Sequence, residues 1–174
     1  MFRGPKRPLY GSYFADIGSG RTYGKYVEVL LVDALEAQIG GPVVNLGVMQ
    51  AGMTPSADNP DILPVTSKVR MTLVQILGAQ NMPNCFYSVH PRRSDRFVSV
   101  SVTVHRLFHS VDFTGHLLGA LADTAQSALQ SVVSELKIVW VSRLKMILKS
   151  ISGDTVLLWM AKRQPEDPLL GESA

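Results

Sequence analysis

The stretch at residues 97–105, FVSVSVTVH, limits the possible folds more than any other part of this chain. Its apolar and polar residues alternate, and successive side chains of a strand point to opposite faces, so the pattern predicts a half-buried β-strand. Valine and threonine also suit a pleated surface because they are branched at Cβ. The face expected to be buried carries Val98, Val100, Val102 and Val104. A helical pattern follows, which predicts a sheet with one apolar face covered by a helix.

The helical pattern covers about residues 113–136. Its apolar residues recur at three- and four-residue spacing, which gives one apolar stripe along a helix. They are Leu117, Leu118, Leu121, Ala125, Ala128, Leu129, Val132, Val133 and Leu136. Ser110 or Asp112 is expected to cap the first turn, because each offers a side-chain oxygen to free backbone N–H groups. We therefore predict one long amphipathic helix.

Other apolar runs predict strands at residues 25–32, 43–49, 68–77 and 85–90, separated by turn-rich segments or, at 91–96, by a charged loop. Residues 33–39 fit a helix or an extended chain. Residues 137–151 also fit either, and we predict a strand over 145–150 that forms a hairpin with 155–161. The predicted fold class is α+β, in which an antiparallel β-sheet is packed by the long helix and ends in a C-terminal β-hairpin.

Composition divides the chain into three regions. Residues 1–24 form a basic arm rich in Gly, Pro and Tyr, residues 25–163 a single domain, and residues 164–174 an acidic tail expected to be disordered. The arm is dense in aromatic residues for a disordered segment, so it is expected to dock on a neighbouring subunit through Phe2, Tyr10, Tyr13 and Phe14. The content of 46% hydrophobic and 18% charged residues favours self-association, although a large core with an uncharged polar surface explains it equally well.

The net charge of +3 is distributed unevenly. Two basic clusters are candidate contacts for an anionic membrane, a nucleocapsid or RNA, because each of these partners presents phosphate groups. The clusters comprise Arg3, Lys6 and Arg7 in the arm, and Lys137, Arg143, Lys145 and Lys149 near the C-terminus. Solvated lysines without a partner are the alternative explanation.

Linear motifs for catalysis or metal binding are not evident. Cys85 is the single cysteine, so no internal disulfide forms and a reducing compartment is expected. His105 and His109 lack a third nearby ligand, so no metal site is predicted. The segment GSGRTYGK at 18–25 lacks the ending of a phosphate loop, and no helix is expected after it. No signal peptide, spanning segment or myristoylation site is expected either. We predict that the protein is not an enzyme and has no cofactor.

The order of elements resembles that of rhabdovirus matrix proteins, especially the short ones of plant-infecting members. A basic arm precedes a sheet, an alternating strand leads into an amphipathic helix, and KMILKSISGDTVLLWMAK closes the domain with a strand, a glycine turn and a strand that carries Trp159. The similarity covers about residues 97–162. Pro8-Leu9-Tyr10 follows Arg7 and so departs from the family's budding motif, in which two prolines precede any residue and a tyrosine.

This resemblance implies a structural protein of the virion that forms homo-oligomers and bridges the viral nucleocapsid to an anionic membrane during assembly and budding. It would occur in the virion, in the host cytoplasm and at membranes. The first alternative is a small viral coat or RNA-binding protein that uses the basic arm on nucleic acid. An enzyme without a recognisable linear motif is the last alternative.

Overall fold

A computed structural model of the chain describes residues 4–50, 52–53, 62–91, 93–102, 104 and 112–160. The elements in chain order are β1 (Phe14–Ile17), α1 (Gly20–Tyr23), α2 (Leu31–Ile39), β2 (Val43–Asn45), α3 (Leu63–Thr66), β3 (Met71–Gln75), a 3₁₀ turn (Ala79–Asn81), β4 (Tyr87–His90), β5 (Arg93–Val100), α4 (Thr114–Thr124), α5 (Gln126–Ser150) and β6 (Asp154–Leu158). Helices and strands are mixed along the chain. The prediction of a broadly α+β protein is confirmed at this level.

The larger sheet is parallel and has the strand order β2-β1-β3-β6. Phe14 of β1 is in register with Val43 of β2 on one side and with Met71 of β3 on the other. Met71 is in turn in register with Asp154 of β6. All four residues of β1 are buried, because a central strand of a parallel sheet is covered on both faces.

Helices cover the two faces of this sheet. On one face, Phe14 and Val43 pack with Leu30 and Val32 of the segment that forms α2. The larger core belongs to the other face and includes residues of α4 and α5 among its buried members. These are Ala15, Ile17, Val74, Leu117, Leu121, Val132, Leu136 and Ile147.

The strand order reverses at β1. The chain passes from β1 through α2 to β2 on one side, and then returns past β1 to form β3 on the other side. Two crossovers that leave a central strand in opposite directions cannot both fill the space above its carboxyl end. In doubly wound sheets this is the position of the ligand crevice.

β4 and β5 form a separate antiparallel ribbon, with Tyr87 paired to Val100. β4 confirms the strand predicted at 85–90. β5 begins at Arg93, so the charged segment before residue 97 is not all loop, and it ends at Val100 rather than at residue 105. The predicted antiparallel sheet is therefore this two-stranded ribbon, while the sheet that organises the core is parallel.

The predicted facing of β5 is wrong at two positions, because Val98 is 64% exposed and Val102, beyond the strand, is 68% exposed. Phe97 packs towards the core with its ring centroid 5.1 Å from that of Tyr87, and this contact turns Val98 to the outer side. Val104 is buried, as predicted.

The basic arm predicted over residues 1–24 does not extend to residue 24. Residues 14–17 are the central strand β1, and α1 follows within the same segment. The strand predicted over 25–32 is also wrong, since turns and bends lead into α2 at Leu31. Val29 in that run is 70% exposed, whereas Leu30 and Val32 are buried under the sheet. The helical alternative for residues 33–39 is confirmed.

The prediction of a C-terminal hairpin is also wrong. Residues 145–150 belong to the end of α5 and are not a strand. β6 therefore has no hairpin partner just before it in sequence, and it pairs in parallel with β3. This segment is helical and not extended because only helical spacing places Leu136 and Ile147 on one face, where both are buried against the sheet.

The predicted single helix is instead two helices that meet at Ala125. The residue that caps the start of α4 is Phe113, so the predicted cap Asp112 is wrong. Among the described residues, Phe113 makes no side-chain capping bond. The alternative cap Ser110, and the acidic tail at 164–174, lie outside the described residues.

Candidate ligand-binding site

The loop that leaves β1, here called the β1 loop, comprises residues 18–24 and lies at the point where the strand order reverses. Ser19 Oγ accepts the N–H of Gly20 at 2.5 Å, and Ser19 O accepts the N–H of Tyr23 at 2.8 Å. Gly24 ends the loop with φ of 65° and donates to Gly20 O at 3.0 Å. That positive φ is the reason for glycine at residue 24.

A side chain from β3 holds the β1 loop from one side. Gln75 is the last residue of β3, and its Oε1 accepts the N–H of Ser19 at 3.0 Å and the hydroxyl of Thr22 at 3.2 Å. Thr22 and Gln75 are both buried. A buried polar group that loses its partner is costly, so these two bonds fix the loop relative to the end of β3.

A side chain from β2 holds the loop from the other side. Asn45 is the last residue of β2, and its Nδ2 donates to Thr22 O at 2.8 Å. The same side chain accepts the N–H of Gly47 at 2.9 Å through Oδ1. One amide side chain from each neighbouring strand therefore braces the β1 loop.

Two glycines are required by this close packing. A Cβ atom on Gly18 would lie 2.6 Å from Gln75 Oε1 and would also overlap the Thr22 hydroxyl. A Cβ atom on Gly47 would lie 2.8 Å from the carbonyl carbon of Thr22. Larger side chains at either position would separate the loop from its braces.

The groups that the β1 loop leaves open to solvent are polar and basic. Ser19 is half-buried and Arg21 is exposed. Residues 18–25 contain two bases, Arg21 and Lys25, and no acid. A guanidinium group offers a fork of N–H donors that matches a carboxylate or a phosphate, so this edge suits a small anion. Within the described residues, no hydrogen bond joins Ser19 to a histidine or a carboxylate, as an activated nucleophile requires.

Asp16 is the carboxyl group nearest to this loop along β1. It is fully buried, and neither of its carboxylate oxygens has a hydrogen-bond partner among the residues that the structure describes. In the sheet it is in register with Asn45 and Leu73. Burial raises the pKa of Asp16 to about 7, because a charged carboxylate is poorly solvated there.

A family model described as a domain of unknown function, DUF6473, matches residues 1–172. The chain belongs to the DUF6473 family. No curated protein and no solved structure matches this chain. The description of DUF6473 names no activity. The rhabdovirus resemblance stays a prediction.

Within this DUF6473 chain, Arg7 of the predicted basic arm contacts the domain itself. Its Nε and Nη2 donate to the two carboxylate oxygens of Glu36 at 2.6 and 2.5 Å. Burial by itself raises the pKa of Glu36, but the hydrogen bonds from Arg7 and from the Val43 N–H outweigh it, so that pKa lies below its usual range. Lys6 is exposed, while Arg3 lies outside the described residues.

The aromatic residues predicted for self-association are separated by the fold. Tyr13 is 1% exposed and its hydroxyl donates to Val65 O at 2.7 Å, and Phe14 is part of β1. These two side chains pack inside the domain, so they cannot also contact a neighbouring subunit. Tyr10 is 82% exposed and Phe2 lies outside the described residues. Self-association remains a prediction.

The second predicted basic cluster lies on α5. Lys137, Lys145 and Lys149 are exposed, and their spacing of eight and four residues places them along one side of the helix. Arg143 is half-buried instead. Binding of a membrane or a nucleocapsid by these residues remains a prediction.

Sequence reasoning missed Asn45 and Gln75, because only the strand order brings them to Thr22. The sequence does not favour a phosphate loop at residues 18–25, because the segment lacks the required ending and no helix is expected after it. The structure places α1, a single turn, inside this segment. Across the part of the chain that the structure describes, no helix is both long and apolar enough to cross a membrane. Over the same residues, no cluster of three or more His, Cys, Asp or Glu side chains could hold a metal ion.

Proposed function

We propose that this domain binds a small anionic molecule, with a carboxylate or phosphate group, at the β1 loop. The observation that carries the proposal is the bracing of the loop by Asn45 and Gln75 at the reversal of strand order. Ligands of open α/β sheets bind outside the carboxyl ends of the strands at such a point. A rigid loop also loses little conformational entropy when a ligand binds to it.

The charge of the loop supports an anionic ligand over a cationic one. Arg21 is exposed, and the only carboxyl group close by in the strand, Asp16, is fully buried. The Ser19 hydroxyl adds a neutral donor in the same loop. We assign no reaction to this site, because within the described residues none of the hydrogen bonds of Ser19 reaches a general base.

Amide NMR of the isotope-labelled full chain tests this proposal. Inorganic phosphate, acetate and adenosine monophosphate serve as the anionic probes, and glucose as the neutral one. We expect saturable shifts of the amide signals of residues 18–24 and of residues 46–50, which follow β2. Glucose should leave these signals unchanged.

Two variants sharpen the measurement. Arg21→Gln removes the exposed guanidinium group without touching the braces, and it should weaken binding of the best probe about tenfold. Lys68→Gln removes an exposed charge that precedes β3, at the opposite end of that strand from Gln75, and should leave the affinity within about twofold. Equal affinities of the two variants, or shifts scattered over the whole surface, would overturn the proposal.

The exposed side of α5 supports a second candidate, a contact with an anionic membrane of the kind the sequence predicts for an assembly protein. No acidic residue lies between Lys137 and Lys149, and Ile138 and Met146 on this helix are 67% and 47% exposed. Basic residues near an anionic surface contribute roughly 1 kcal/mol each, and exposed apolar side chains insert into the headgroup layer.

Flotation with anionic liposomes tests this second candidate. Replacing Lys137, Lys145 and Lys149 by glutamine should abolish flotation, while replacing Lys6, Lys25 and Lys68 should not. Flotation of both triple variants like the parent would refute a contact through α5. Binding to RNA but not to liposomes would favour the coat or RNA-binding alternative.

A further inference from the structure

A cleft opens on the other side of β3 from the β1 loop. It is formed where β3 and β6 end, by residues 77–79, by α5 and by Trp159. Its volume is about 430 Å³, which is within the size range of pockets that bind small molecules. Leu77, Trp140, Val141 and Trp159 make its walls mostly apolar.

One wall of this cleft is fixed in place. Trp140 Nε1 donates to Leu77 O at 2.8 Å, which orients the indole ring and satisfies its only polar atom. Trp159 and Val141 are each 42% exposed. The cleft therefore presents two aromatic rings and an aliphatic side chain to solvent, and these groups lose water contact only when something apolar fills it.

Lys137 adds one charge to this apolar lining. It is the one ionisable side chain among the described residues that line the cleft, and no ion pair found within the described part of the chain involves it. An apolar site with a single ammonium group at its edge complements a molecule with an apolar body and one negative charge. A neutral apolar molecule would leave that charge unmatched.

We propose that this cleft binds an apolar monocarboxylate, with the hydrocarbon part between Trp140 and Trp159 and the carboxylate at Lys137. This assignment goes beyond the anion site at the β1 loop, because it uses different residues on the opposite side of β3. It can therefore be right or wrong independently of the proposed function.

Intrinsic fluorescence tests the proposal directly. The chain has two tryptophans, and both line the cleft, so tryptophan emission, selectively excited, reports on this site alone. Decanoate is the probe, added to the full chain below its micelle concentration, and decanol is the matched neutral molecule. We expect a saturable emission change with decanoate, and binding of decanol that is roughly fivefold weaker because it lacks the charge.

Three variants separate the contributions. Val141→Asp places a negative charge on the cleft wall and should abolish the saturable change, and Lys137→Gln should reduce decanoate affinity to that of decanol. Lys149→Gln is the control, a lysine on the same helix away from the cleft, and should bind like the parent. Circular dichroism checks that each variant is folded, which is expected because all three residues are exposed.

The opposite results would overturn the assignment. If Val141→Asp folds and binds decanoate like the parent, the ligand is not in the cleft. If Lys137→Gln and Lys149→Gln bind decanoate equally well, Lys137 does not hold the carboxylate. If Val141→Asp fails to fold, the Lys137→Gln comparison alone decides the outcome.

Discussion

Thr22 and Gln75 are joined by a hydrogen bond of 3.2 Å between Thr22 Oγ1 and Gln75 Oε1, across 53 positions of sequence. The same oxygen accepts the N–H of Ser19 at 3.0 Å. Because Gln75 is only 7% exposed, water has little access to replace these bonds. The conformation of the β1 loop thus depends on a side chain at the end of another strand.

Gln75→Ala should lower the free energy of unfolding by roughly 1–3 kcal/mol, because the Thr22 hydroxyl and the Ser19 N–H lose their acceptor. Urea unfolding measures the loss, and faster amide exchange at Ser19 would locate it. Gln80→Ala is the matched control, since Gln80 is exposed. Equal stability of the two variants would mean that Gln75 does not brace the loop.

Asp16 should make the stability depend on pH. Its pKa of about 7 in the folded chain exceeds the value of about 3.9 in the unfolded chain. The folded state therefore binds the proton more tightly, so this stabilisation is complete below about pH 4 and is lost as the pH rises through about 7. The difference of about three pH units corresponds to roughly 4 kcal/mol.

Asp16→Asn should remove most of this dependence and should be more stable than the parent at pH 8. Thermal unfolding at pH 5 and pH 8 measures both effects. Asp123→Asn, at an exposed position of α4, should keep the slope of the parent. An unchanged slope in Asp16→Asn would show that another group titrates.

Leu121→Asp and Val102→Asp should differ sharply, although the sequence pattern places both residues on buried faces. Leu121 is 1% exposed, and an unpaired buried charge costs several kcal/mol, which rivals the whole stability of a domain. Val102 is 68% exposed, so its replacement should be tolerated. Soluble yield and circular dichroism distinguish the variants. Failure of both to fold would contradict the observed exposure of Val102.

Arg7→Ala should lower the free energy of unfolding by roughly 1–2 kcal/mol at pH 7, because the partly buried Glu36 loses two charged hydrogen bonds. The pKa of Glu36 is lowered in the fold, so this contribution is present above the unfolded pKa and is lost as the pH falls through the folded one.

The difference in free energy of unfolding between Arg7→Ala and the parent, measured by urea unfolding, should therefore be smaller at pH 3 than at pH 7. Lys6→Ala is the neighbouring control and should match the parent at both pH values. A loss in Lys6→Ala as large as that in Arg7→Ala would indicate a general charge effect instead of the pair with Glu36.

Several elements could be predicted from the sequence because their signals are local. The apolar runs of β3, β4 and β6 are bounded by glycine, proline or charged residues, and the spacing around Leu117 and Leu121 indicates a helix wherever it packs. Residues 145–150 fit a helix or a strand by themselves. The sheet decided between them, because Leu136 and Ile147 are buried together only on one helical face.

The sequence by itself determined which segments are apolar, where many of the turns fall and that helices and strands are mixed. Only the tertiary structure decided that β1 is central, that the larger sheet is parallel and that Asn45 and Gln75 meet at Thr22. The physical reason is that strand order depends on which apolar faces can be buried against one another over the whole chain. Ser19 and Gln75 are 56 positions apart, so no local pattern could bring them together.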